Sequence, residues 1–196
     1  TFGQSEARRM LKMINAFRQG KESWAWDVNT KEKVYYEDLP LLHYDYELEK
    51  AAMIRACEIA FVFSHTRPTG KSCFSVGNIY TADSIYGRSA GENIGTGYDN
   101  AQDVFVAWKE TEESYEGQAH RRTMLTKEYT AVGIGHVIYR GVHYWVQQYG
   151  TREETTPTPS VNGPGPVTLT VPTDWITSLD LELTGGQRSE ERRVGK

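Results

Sequence analysis

The sequence predicts an α+β domain in which helices cover both faces of one sheet, a three-layer α-β-α sandwich. Three observations lead there. Helical periodicity dominates the chain up to Trp108, and the clearest strand patterns come last, between Ala131 and Gly150. The second of those strands is apolar on both faces, with Val142, Tyr144 and Val146 on one and Trp145 and Tyr149 on the other. A sheet open to water on one side would alternate with polar residues, so both sides need a covering layer.

Taken in order, Ala7, Met10, Leu11, Ile14 and Phe17 recur at helical spacing, with Ser5 as the expected cap and Gly20 as the stop. A core helix follows Asp45 and is expected over 48–63, carrying Leu48, Ala52, Ala56, Ile59 and Phe63 as its apolar stripe. Pro68 and Gly70 place a turn directly after Ser64-His65-Thr66-Arg67. A third helix starts at Asn100, where Asn-Ala-Gln-Asp resembles a capping box, and runs through Val104, Ala107 and Trp108. AVGIGHVIY and VHYWVQQYG then flank Arg140-Gly141 as a hairpin, with Val132, Ile134, His136 and Ile138 on one face of the first strand.

The 196 residues include 22 Lys plus Arg and 26 Asp plus Glu, a formal charge of −4, which argues against a general nucleic-acid or anionic-membrane binder. With 38% hydrophobic and 24% charged residues, the composition is that of a folded soluble protein. No apolar run approaches the ~18 residues of a membrane helix. The opening TFGQSEARRM has no initiator Met and no signal-peptide core, so a mature form or a fragment is expected.

All twelve Tyr, all five His and both Cys precede residue 150, whereas five of seven Pro lie after it. The reading is therefore one domain over 1–150, a Thr/Pro/Gly-rich linker over 151–166, and the start of a truncated β-module over 167–187. Val167, Leu169 and Val171, then Leu179, Leu181 and Leu183, alternate there as strands do. The last nine residues, RSEERRVGK (188–196), resemble the translation of a sequencing-library adapter and are expected to pack against nothing. Without them the count is 18 basic against 24 acidic, or −6.

Local motifs such as HExxH, GxSxG and GxGxxG are absent. His65, Glu92 and His120 each lie at an element end, where side chains reach clefts. Two neutral imidazoles with a carboxylate nearby can hold a divalent metal or relay a proton; the other reading is hydrogen-bonded structural histidines. Glu110, Glu112 and Glu113 read as a solvated helix face. Arg67 is read either as an anchor onto a carboxylate such as Asp83 or Asp99 or as a surface residue. His136 and His143 read as structural, and Trp108, Tyr144 and Trp145 as core. Cys57 and Cys73 are either two buried free thiols or one bridge.

At these residues a family resemblance emerges. Met53-Ile54-Arg55-Ala56-Cys57-Glu58, Phe63-Ser64-His65-Thr66-Arg67-Pro68, Gly91-Glu92-Asn93-Ile94, Trp108 and Gln118-Ala119-His120-Arg121-Arg122 occur in the order found in the CAP superfamily. Val132-Gly133-Ile134-Gly135 and Tyr144-Trp145-Val146-Gln147-Gln148 complete the set. The superfamily, also called the SCP domain, includes cysteine-rich secretory proteins, antigen 5 and plant pathogenesis-related proteins. The SHTRP loop and the linker resemble its bacterial, surface-exposed branch. The resemblance implies an α-β-α sandwich with a cleft of two His and two acidic residues, some members binding zinc or another divalent cation through the histidines. His65 and His120 take the imidazole places and Glu92 the first carboxylate. The second is expected three residues after the tryptophan, where Thr111 stands, so either the chain keeps three of the four residues or Glu112 substitutes from the next helical position.

The expected function is a secreted or cell-surface binding module whose His/Glu cleft takes a divalent metal or a small ligand. One alternative is a metal-dependent, peptidase-like hydrolase in which Glu92 activates water on zinc held by His65 and His120. Another is a structural or adhesive surface domain with a vestigial cleft. Expected partners are a small molecule, a lipid or an extracellular protein, with no nucleic acid, no membrane insertion and further domains of the same chain.

Overall fold

The computed structural model describes residues 1–79 and 91–151; the linker, the β-module and the tail, like Asp83, lie outside the described residues. The elements in order are α1 (Gln4–Gln19), β1 (Trp24–Trp26), β2 (Lys33–Tyr35), β3 (His43–Tyr44), α2 (Tyr46–Ile59), a 3-10 helix (Cys73–Ile79), β4 (Gly91–Thr96), α3 (Ala101–Lys109), α4 (Ala119–Leu125), β5 (Ala131–Tyr139) and β6 (Val142–Gly150). The main sheet runs β3-β5-β6-β4, parallel between β3 and β5 and antiparallel elsewhere, so β4 is an edge strand. β1 and β2 form a separate antiparallel ribbon.

The long hairpin forms as its sequence predicts. Arg140 and Gly141 take φ of 51° and 76°, the two positive values a tight primed turn requires. Alternation then sends Val132, Ile134, Trp145 and Tyr149 toward α1, α3 and α4, and Val137, Tyr144 and Val146 toward α2. These are the three layers.

α2 lies with its backbone against β5. A Cβ added at Gly133 would sit 2.0 Å from the Glu49 nitrogen, and one at Gly135 2.2 Å from the Ala52 carbonyl oxygen, so only glycine fits beneath the helix. Asp45 caps α2, its carboxylate accepting from the Glu47 and Leu48 N–H groups. The helix ends at Ile59 rather than at residue 63, and it is buried on nearly every side, including Glu49, Arg55 and Glu58. Around the two-residue edge strand β3, the buried pair Arg8–Glu49 (2.7 Å) ties α1 to α2, with the Tyr44 hydroxyl also donating to Glu49.

α1 starts two residues earlier than Ser5 would place it: Gly3 is the cap and no side chain bonds there, because residues 1–3 run beside the end of β5. Buried Arg18, near the end of α1, donates to the Met124 and Thr126 carbonyls, satisfying the C-terminal end of α4 and fixing the helix that carries His120.

Candidate functional site

β4 supplies the centre of the site. Glu92 faces α2, and the next residue, Asn93, faces α4. Glu92 is buried, and four donors reach its carboxylate: Arg55 Nε (2.8 Å), Arg55 Nη2 (3.1 Å), Gln148 Nε2 (2.5 Å) and His65 Nδ1 (2.9 Å). Burial alone would raise the Glu92 carboxyl, but the His65 hydrogen bond and the Arg55 charge outweigh it and hold it below the ordinary carboxylate range. An ionised carboxylate only accepts, so the proton in this hydrogen bond sits on His65 Nδ1.

The loop bearing His65 is fastened at several points. Arg55 Nη2 donates to the Ser64 carbonyl (2.6 Å), the Cys73 N–H to the His65 carbonyl (3.0 Å), and Arg67 to both oxygens of Glu58. Arg67 is buried and its carboxylate partner is Glu58, at 2.8 Å, not Asp99 and not solvent. Arg67, Glu58, Arg55 and Glu92 therefore alternate in sign along one buried chain that ends at His65. Such a chain is tolerated only because each charge meets its opposite.

His120 is arranged differently. Its Nδ1 meets Glu110 Oε1 at 2.5 Å, and Glu110 Oε2 accepts from the His120 N–H (2.9 Å) and the Arg121 N–H (3.3 Å). Gln118, the residue before α4, makes no side-chain cap bond, so Glu110 caps α4 from a distance. It reaches that place because it ends α3 in the left-handed conformation, φ 46°. Glu110 is buried rather than part of a solvated face, while Glu112 and Glu113 are exposed. His120 stacks on Trp108, ring centroids 6.4 Å apart, and Asn93 Nδ2 donates to its carbonyl oxygen (3.3 Å).

Among the described residues, His65, Cys73 and Glu92 bring ligand-type atoms within 4.8 Å of one another, a group that His120 does not join. Sequence reasoning missed Cys73 here. It is a free thiol, pushed up to about 12 by burial and by the Glu92 charge, and so holds its proton at neutral pH. Cys57 is also free and pushed up to about 12 by burial. His136 is buried, stacked on Trp145 at 3.5 Å and bonded to His143 (2.9 Å); burial pushes it down to about 4, and its role is structural. Trp108, Tyr144 and Trp145 are core.

The fold and these motifs are matched among known proteins. A family model described as the cysteine-rich secretory protein family, CAP, covers residues 11–149. The uncharacterized protein YkwD of Bacillus subtilis is 29% identical over 115 residues, which are 58% of this chain and 40% of that protein, so the chain spans less than half the length of this curated relative. Among solved structures, an outer surface protein from Borrelia burgdorferi superposes with a TM-score of 0.57 at 16% identity, over 76% of this chain and 95% of that one. NaASP2, crystallised with Zn2+, gives 0.54 at 22% identity over 84% and 88%. The chain belongs to the cysteine-rich secretory protein (CAP) family.

Proposed function

We propose that the domain is a secreted or cell-surface binding module in which His65 and His120 hold a divalent cation, zinc foremost, at the β4 edge. One observation carries this reading. Each imidazole is oriented through Nδ1 by a buried carboxylate, His65 by Glu92 and His120 by Glu110, which is the carboxylate–histidine arrangement that presents Nε2 to a metal. Both histidines are tied to the edge strand β4, His65 by its ring to Glu92 and His120 by its backbone carbonyl to Asn93 on the opposite face of the strand, so a shared ion would sit across the sheet edge. The Zn2+ in NaASP2 supports the choice of ion, and the likeness to an outer surface protein supports the location.

The residues fit the ion through imidazole nitrogen rather than through Glu92. That carboxylate has about four acceptor positions, and four donors already fill them. Glu92 therefore orients His65 instead of acting as a base, which favours binding over hydrolysis. A zinc ion held there would supply an open coordination position for an oxygen of a small-molecule, lipid or protein ligand.

Calorimetry with zinc chloride at pH 7.5 tests the reading. The parent is expected to bind, more weakly at pH 5 because protonated imidazole is no ligand, and His65→Ala and His120→Ala are each expected to lose more than tenfold in affinity. No heat with the parent, or parental affinity in either variant, overturns it.

A further inference from the structure

A second feature lies outside the cleft and rests on different residues. An open groove of about 570 Å³ is bounded by Trp24 and Trp26 of β1, Lys33 of β2, and Glu112, Glu113 and Tyr115 from the segment between α3 and α4. Trp24 and Trp26 are two apart on a strand and so share a face. Their ring centroids are 5.8 Å apart and their planes meet at 81°, which makes a corner rather than a flat platform.

That corner already holds a cation. Lys33 pairs with Trp26 across the ribbon, and its ammonium lies 4.1 Å from the Trp24 ring centroid and 5.2 Å from that of Trp26. Lys31 lies 4.8 Å over Tyr115. All three distances are inside the roughly 6 Å range of cation–π attraction. The walls are rigidly mounted on the start of α4: Gln118 accepts from the Trp26 N–H (2.8 Å), Arg121 donates to the Trp24 carbonyl (2.5 Å), and Arg122 donates to the Trp26 (3.2 Å) and Tyr115 (2.8 Å) carbonyls. At the rim Glu112 and Glu113 are exposed, and among the described residues neither enters an ion pair.

We propose that this groove recognises an alkylated ammonium group, a quaternary or methylated amine, with Lys33 as its tethered and displaceable occupant. Aromatic faces attract any cation, but an ammonium stripped of N–H donors is poorly hydrated and loses least on leaving water, whereas Lys33 keeps its hydration by staying exposed. The two carboxylates at the rim add attraction of the same sign. A sugar ring stacks on a flat aromatic surface, and the perpendicular indoles offer none in common.

The test is a titration of choline into 15N-labelled protein, read at the indole N–H resonances. Saturable shifts are expected for choline, with at least about tenfold weaker binding of 3,3-dimethylbutan-1-ol, its uncharged isostere. Lys33→Gln, which removes the displaceable cation and leaves the Arg121 guanidinium over Trp24 (4.3 Å) in place, is expected to tighten choline binding at least threefold, and Trp26→Ala to weaken it about tenfold. Because Trp26 also packs, the exposed double variant Glu112→Gln/Glu113→Gln gives an independent reading, with an expected weakening of about threefold. Phosphocholine and Nε-trimethyllysine amide separate a headgroup from a protein side chain as the natural carrier, and saturable binding of either supports the site. Equal binding of the isostere, preference for an N-acetylglucosamine oligomer, unchanged affinity in Lys33→Gln or absence of saturation overturns it. His65→Ala should leave choline binding unaltered, so the groove stands or falls apart from the metal.

Discussion

His65 and His120 both lean on a carboxylate through Nδ1, yet their surroundings are opposite. The His65 side chain is 52% exposed and rests on Glu92, whose charge is matched by Arg55 in a buried chain of alternating ions. The His120 side chain is 4% exposed, and among the described residues no arginine side chain bonds its Glu110; backbone N–H groups at the start of α4 take that place, with Arg121 adding only its charge. The first pair is held by charge and the second by chain path. Substitutions should therefore fail differently on the two sides: through unpaired charge at Glu92 and through a misplaced helix start at Glu110.

The largest effect is expected from Arg55→Met, which leaves Glu92 and Glu58 buried with one cation fewer. Urea unfolding should show a loss of about 3–5 kcal/mol. A loss under about 1 kcal/mol would mean that something other than Arg55 neutralises the pair. On the other side, Glu110→Ala removes three hydrogen bonds to His120 and Arg121. The expected cost is about 1–3 kcal/mol, with zinc affinity lower by about 10–100-fold as the His120 ring loses its orientation. Glu110→Gly sharpens this. It loses the same bonds but relieves the left-handed backbone, so it should be about 1 kcal/mol more stable than Glu110→Ala. Equal stabilities would show that the φ of 46° carries no strain.

The same contrast explains what could be read from the sequence. The hairpin, the Asp45 and Asn100 caps and the apolar stripes were legible because each is local, a matter of period or of a cap within one turn. Glu92 was legible through the order of motifs around it. Arg55 and Glu58 were not, since a charge on a helix reads as solvated, and Arg67, in the loop, could be read as an anchor but not matched to its partner; only the packed loop reveals that all three are buried. Glu110 was hidden more deeply. Glutamate has no preference for positive φ, so nothing local marks the residue where α3 breaks, and a continuing helix would have turned it to solvent. β4 (GENIGT) carries no period-two apolar pattern to mark it as a strand, and the smallness of Gly95 is explained only by packing, since a Cβ there would meet Val104 at 3.0 Å.

The smallest expected effect is a change of slope with pH, and it isolates the charged side of the comparison. The Glu92 carboxyl is depressed in the folded protein, so the unfolded chain binds the proton more readily. Its contribution to stability is therefore complete above the unfolded value, near 4.3, and is lost as pH falls through the lower folded value. Glu92→Gln has no such proton to gain. The parent should exceed the variant in stability by a constant margin from pH 7 to about pH 5, and that margin should shrink steadily at lower pH, measured as urea midpoints at matched ionic strength. Subtracting the variant removes the carboxylates common to both proteins, which titrate over the same range. A margin that stays constant down to pH 2.5 would mean that Arg55 and His65 do not favour the ionised form of Glu92, and would remove the reason for assigning the His65 proton to Nδ1.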